Sequence, residues 1–251
     1  MSKHAVFWIR DDFRIKNNPA LSYATNNHDS VSALYIYNNL KFDQKREAQK
    51  WWISKSLEEF RKDLQKFNIN LEIFNSEEIK FFSKIKKEKG LSIYWNKIYE
   101  PEELDIDKKL ILFFQKGNIN FKFFKGNVLN EFNKVNKNDG TPFKVYSPFW
   151  RNAERIYLEK VPEKSSNVKK VKKAKNFFNE GINLNKILPK KSWYKKFENY
   201  WTPSETQAET VLSEFIKKDI SDYGIDRDFP SKTGTSKLSP FIRNGQISVQ
   251  N

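Results

Sequence analysis

From residue 1 to about 125, short apolar runs alternate with longer stretches of helical periodicity. The runs at 5–9 (AVFWI), 31–37, 70–74, 91–95 and 120–124 read as strands, most of them flanked by polar or breaker residues. Strands alternating with helices predict a parallel sheet covered on both faces. Between the second and third runs, Ile53, Leu57, Phe60, Leu64 and Phe67 recur at steps of four, three, four and three. That spacing lays one apolar stripe along a helix and leaves its other face charged. Asn18-Pro19 and Glu100-Pro101 each put a proline at a first helical position, where the missing N–H is no loss, so both should open helices just after strands.

From 125 to 148 the chain is turn-rich, with Gly126, Asn138-Asp139-Gly140 and Thr141-Pro142, and from 160 to about 199 it is basic with little periodicity. A second ordered unit opens at Thr202-Pro203-Ser204-Glu205, read as a Thr N-cap with Glu three residues on. It continues through Ala208, Val211, Leu212, Phe215, Ile216 and Ile220 at helical spacing. Residues 223–251 add a loop and the start of one more helix, too little to enclose a core. The expected organisation is a doubly wound, five-stranded parallel α/β domain over 1–130, a connector over 131–199, and the incomplete start of a helical domain over 200–251. On this reading the chain is cut short.

With 38% hydrophobic residues, 22 Phe and 7 Trp, the 251-residue chain is too rich in large apolar groups to be disordered despite its charge. It has no apolar run of the roughly 20 residues that a bilayer span needs, and its first strand-like segment, His4 to Arg10, is too short and too charged for a secretory signal, so the expected location is the cytoplasm, without a membrane partner. Zero Cys removes disulfides and thiolate metal sites, and His4 and His28 stand in no metal-ligand pattern, so no metal is expected. The formal charge of +15 would favour a polyanion if gathered on one face. Between Lys160 and Lys196 there are twelve Lys against Glu163 and Glu180, including the run Lys169-Lys170-Val171-Lys172-Lys173. The bland alternative is a solvated linker in a Lys- and Asn-rich chain.

In an open parallel sheet, ligands bind beyond the carboxyl ends of the strands, where the strand order reverses. Two strand ends carry suitable groups: Trp8-Ile9-Arg10-Asp11-Asp12-Phe13-Arg14 after the first, and the segment from Asn96 through Tyr99, Glu100, Pro101, Glu102 and Glu103 after the fourth. Taken alone, the first reads as an ion-pair knot at the sheet edge, and the two acids of the second as complements to a helix dipole. Neither a G-x-G-x-x-G nor a P-loop pattern is present, which removes the ordinary dehydrogenase and kinase readings. The segment Gly234-Thr235-Ser236-Lys237-Leu238-Ser239-Pro240 gathers three hydroxyls, a Lys and free N–H groups at a helix start, which suits a phosphate but equally a simple cap.

Together these segments resemble the DNA photolyase/cryptochrome family along nearly the whole chain. The most specific match is Tyr223-Gly-Ile-Asp-Arg227-Asp228-Phe229-Pro230, followed by 234–240 and then Gly245-Gln246-Ile247-Ser248. In support stand Trp8 to Arg14 with Asn18-Pro19-Ala20-Leu21, Asn96 with Tyr99-Glu100-Pro101, Val145 to Arg151, and Trp201-Thr-Pro-Ser-Glu205, all in the family's order. Within the family the motifs resemble the class I cyclobutane pyrimidine dimer photolyases.

The resemblance implies a Rossmann-like antenna domain, a connector and the truncated start of an all-helical FAD-binding domain. It implies a lyase that, with reduced FAD and light, splits pyrimidine dimers in DNA, and an antenna chromophore such as methenyltetrahydrofolate or a deazaflavin. Tyr223, Thr235, Ser236, Lys237, Leu238 and Ser239 fall where the family contacts FAD, and Arg227 where it meets DNA. Of the Asn-Glu pair that holds a folate antenna in bacterial members, Glu102 and Glu103 stand here, so only Glu103 matches. Because the family's flavin-ring residues are absent, the chain is expected to be inactive alone, with the rest of the helical domain as a separate or continuing partner and otherwise a monomer. Two alternatives stay open: a cryptochrome-type receptor fragment, and a non-catalytic pigment- or nucleotide-binding α/β module.

Overall fold

The computed structural model describes residues 4–38, 41, 46–85, 90–159, 166–174, 187–189 and 192–250. The rest of the basic stretch from 160 to 196 lies outside the described residues. In chain order the elements are β1 (His4–Ile9), α1 (Pro19–Asn27), β2 (Ser30–Tyr37), α2 (Glu47–Gln65), β3 (Asn70–Asn75), α3 (Glu78–Ile85), β4 (Leu91–Asn96), α4 (Pro101–Lys116) and β5 (Asn120–Phe124). A 3-10 turn (Phe132–Lys134), α5 (Tyr146–Glu159), a 3-10 stretch (Ser192–Asn199), α6 (Glu205–Lys218), α7 (Tyr223–Asp226) and α8 (Ser239–Arg243) follow.

All five strands pair in parallel in the order β3-β2-β1-β4-β5, so every expected strand is present. Because side chains alternate across a strand, β1 feeds two cores. Ala5, Phe7 and Ile9 pack with Ala33, Tyr35 and the α1–α2 side; Val6 and Trp8 pack with Ile93, Trp95 and the α3–α4 side. Both faces of β1 are dry, which is why it is apolar at consecutive positions and not at alternate ones. The expected stripe is the inner face of α2, with Ile53, Leu57, Phe60 and Leu64 buried and Phe67 packed against that core just beyond the helix.

Turning the other end of α2, Trp51 and Trp52 belong to a third cluster with Ala208, Leu238, Phe241 and Ile247. This cluster docks residues 200–250 on the sheet domain. Trp52 meets Phe241 edge-on at 5.1 Å, and its indole N–H donates to Gln246 Oε1 (2.9 Å). Arg14, fully buried, donates to the Gly245 carbonyl (2.9 Å). Gly245 has φ +62°, and a Cβ there would stand 2.1 Å from the Asp11 carbonyl oxygen, so the close approach of these two segments requires glycine.

Two local expectations are corrected. The N-cap of α6 is Ser204, not Thr202: its Oγ accepts from the Gln207 N–H (3.1 Å), and Glu205 is the first helical residue. Instead of closing a capping box, the Glu205 carboxylate accepts from the Ile15 and Lys16 N–H groups (2.7 and 2.9 Å), so it ties α6 to the loop after β1. Within the expected connector, residues 146–159 form the 14-residue helix α5. Pro148 falls in its first turn, where proline is tolerated.

Candidate functional site

The strand order reverses between β1 and β4, and a crevice of about 560 Å3 opens beyond their carboxyl ends. Trp8, Arg10, Tyr35, Lys41, Glu103 and Arg243 are among the residues lining it. Arg10 is the hub. It is buried, its Nη2 pairs with Glu103 and its Nη1 with Asp107, and its guanidinium lies 4.6 Å from the Trp8 ring centroid. Lys41 reaches the other Glu103 oxygen at 3.3 Å. Burial would raise the Glu103 carboxyl, but Arg10 and Lys41 hold it below the ordinary glutamate range. Asp107, more deeply enclosed, is pushed up by burial despite Arg10.

Beneath the crevice, Asn96 donates to Asp12 Oδ2 (2.6 Å) and to Asn18 Oδ1 (2.8 Å), while its own Oδ1 accepts from the Ala20 N–H (3.1 Å). Asn18 caps α1 through the Leu21 N–H (3.2 Å). This buried polar knot fixes the end of β4 against the start of α1 and leaves each of its polar side chains bonded, which is the condition for burying them. On the rim, Arg243 pairs with Asp11 and, at 3.1 Å, with Glu100.

Arg243 ends α8, and α8 begins at the second candidate site. The Leu238 side chain is anchored in the Trp52 cluster, whereas Thr235, Lys237 and Ser239 are exposed beside it and Ser236 is half-buried. Lys237 adopts φ +54°, and the Leu238 N–H reaches Ser236 Oγ at 3.4 Å. Among the described residues the Thr235 and Ser239 hydroxyls and the Lys237 ammonium have no partner. Gly234 lies against α7, where a Cβ would come within 2.5 Å of the Asp226 Cβ. The contact sets the turn beside Tyr223 and Arg227, whose guanidinium lies 5.7 Å from the Tyr223 ring centroid. Hydroxyl, ammonium and N–H donors gathered on one tight turn suit a phosphate or diphosphate.

The sequence profile described as DNA photolyase matches residues 5–166. The chain belongs to the DNA photolyase family. It is 31% identical to the deoxyribodipyrimidine photo-lyase of Agrobacterium fabrum over 97% of this chain and 51% of that protein. Identity to cryptochrome-2 of Arabidopsis thaliana is 25% over 100% of this chain and 42% of that one. The crystal structure of a class III photolyase from Agrobacterium tumefaciens superposes with a TM-score of 0.85 at 29% identity, covering 99% of this chain and 52% of that one. The subgroup expected from the motifs, class I, is not the one named for that photolyase structure. The chain spans about half the length of the curated relatives it matches.

Of the residues singled out in the sequence, Tyr223, Arg227 and 235–239 share one surface, joined by the contact of Gly234 with Asp226. Glu103 stands apart, in the crevice. Helix α8 connects the two places, with Ser239 at one end and Arg243 at the other. Sequence reasoning missed Asp107 and Arg243 as members of this site. Asp107 was legible as an acid on the same helical face as Glu103, Leu110 and Phe114, at steps of four, three and four. Arg243 carried no local signal, since its partners Asp11 and Glu100 are remote in sequence.

Proposed function

We propose that this chain supplies the antenna domain and the flavin-diphosphate turn of a deoxyribodipyrimidine photolyase that repairs pyrimidine dimers in DNA. The observation that carries the reading is the turn at 234–239, anchored through Leu238 with the Thr235 and Ser239 hydroxyls and the Lys237 ammonium left without a partner among the described residues. Thr235, Ser236 and Ser239 would donate to the FAD diphosphate, Lys237 would offset its charge, Leu238 would contribute through its backbone, and Tyr223 would close the near side. When bound, reduced FAD supplies the light-driven electron that opens the dimer. Arg227, with its side chain 53% exposed beside the turn, would meet the DNA backbone. Glu103 and the crevice would receive the antenna chromophore, methenyltetrahydrofolate or a deazaflavin. In this scheme residues 1–130 are the antenna domain, 131–199 the connector, and 200–251 the beginning of the helical flavin domain, working in the cytoplasm as one molecule with the remainder of that domain.

Repair is preferred to light signalling because identity is higher to the Agrobacterium photo-lyase, 31%, than to the plant cryptochrome, 25%. The test pairs this chain with the complementary helical half of the Agrobacterium fabrum photo-lyase and follows thymine dimers in DNA under blue light. Light-dependent loss of dimers, abolished in the dark, supports repair. A flavin-loaded pair that leaves dimers intact points to signalling.

A further inference from the structure

The basic run at 169–173 is part of a strap with a three-residue period, Val168-Lys-Lys-Val171-Lys-Lys-Ala174. Val171 is buried in the core beneath α2, Val168 packs against that core, and Ala174 is half-buried. The intervening Lys169, Lys170, Lys172 and Lys173 are all exposed. Hydrogen bonds fasten the backbone at almost every step. The Val171 N–H donates to the Phe67 carbonyl (3.1 Å) and the Lys172 N–H to the Asp29 carbonyl (2.8 Å). Asn68 Nδ2 donates to the Val171 carbonyl (2.8 Å), Asn70 Nδ2 to the Ala174 carbonyl (3.3 Å), and the Lys169 N–H to Thr25 Oγ1 (3.2 Å). Lys172 approaches Asp29 at 3.4 Å with both side chains exposed; Lys169, Lys170 and Lys173 have no ion-pair partner among the described residues.

A solvated linker would not be held this way. Here a rigid backbone presents two lysine pairs from the edge where β2 and β3 begin, opposite the crevice and the flavin turn. Successive pairs lie at most about 11 Å apart along the chain, comparable to an advance of three base pairs along a duplex axis, at about 3.4 Å of axis per phosphate of each strand. Fixing the backbone in advance lowers the ordering cost of contact. We infer that the strap is a second nucleic-acid contact, which grips the sugar-phosphate backbone of duplex DNA without reading sequence and independently of the flavin turn.

The experiment measures binding of a short undamaged duplex by fluorescence anisotropy in the dark, across a series of salt concentrations. Two variants are compared with the original chain. One carries Lys169→Gln, Lys170→Gln, Lys172→Gln and Lys173→Gln. The control carries Lys84→Gln, Lys108→Gln, Lys109→Gln and Lys116→Gln, which removes the same charge from exposed positions on the opposite sheet face. With up to about 0.9 counterion released per phosphate contact, the strap variant should lose about 3 from the magnitude of the salt slope. At low salt its affinity should fall about tenfold or more, while the control stays near the original. An unchanged slope in the strap variant, equal losses in both variants, or binding to vesicles containing anionic phospholipid with none to DNA would each overturn the inference. Because the assay uses neither flavin nor light, its failure leaves the reading of the flavin turn intact.

Discussion

Arg10 has each of its Nη atoms committed to a different carboxylate, and the Asp107 side chain it serves is only 8% exposed. Replacing it with Gln strands a buried acid. Arg10→Gln should therefore cost about 3–5 kcal/mol, read as a lowered urea midpoint with an unchanged slope. His4 gives the pH counterpart. Burial, then the nearby charge of His28, pull its imidazole from the ordinary 6.5 down to about 4. Between those values the unfolded chain takes up a proton that the folded chain refuses, so this group's contribution to stability falls as pH drops from 6.5 toward 4. Asp12, Asp107 and Glu205, whose carboxyls are raised chiefly by burial, push in the opposite sense, so the comparison is between the original chain and His4→Asn. The variant should lose less stability over that interval; parallel curves would contradict the assignment. At this scale the sequence displayed the right chemical groups, and Trp8 to Arg14 is indeed a knot of paired and bonded charges. What it withheld were the pairings, because each joins residues far apart along the chain.

Elements were more legible than pairings. The five strands were readable to within a residue: burial on both faces makes β1, β2 and β4 near-continuous apolar runs, and the largely exposed edge strand β5 still shows Phe121, Phe123 and Phe124. The stripe of α2 was readable because it faces a single core, whereas Trp51 and Trp52 at its start serve a different one. At α6 the sequence pointed to Thr202 as the cap, with a proline at the position that follows, whereas the helix opens two residues later and Ser204 Oγ accepts from the Gln207 N–H. Ser204→Ala should cost about 1 kcal/mol. Gly245→Ala tests the docking itself: a Cβ 2.1 Å from the Asp11 oxygen at φ +62° must force the segments apart. Limited proteolysis should then cut 200–250 faster while the strand domain keeps its protection. Helix α5 was obscured by Pro148 and the preceding turn, although Tyr146, Phe149, Trp150, Ala153 and Tyr157 fall on one face.

At the scale of the molecule, a doubly wound sheet carries a crevice at its switch point, and a short helical segment plugs beside it through Trp52, Phe241 and Gly245. That docking sets the turn at 234–239 on the outside with three polar side chains free. The fold and the family could be read from ordered motifs; the depth at which Leu238 is anchored, and the freedom of its neighbours, could not. With only one wall of the proposed flavin pocket among the described residues, the purified chain should hold FAD weakly and without stoichiometric yellow colour, since tight sites enclose most of a ligand's surface. The central claim is that the wall it has recognises the diphosphate. Calorimetric titration of the purified chain with FAD and, separately, with riboflavin tests it most directly. The expected result is weak saturable binding of FAD, lost in a Ser236→Ala, Ser239→Ala variant, with none for riboflavin. Equal binding of the two flavins, or FAD binding indifferent to those substitutions, would contradict it.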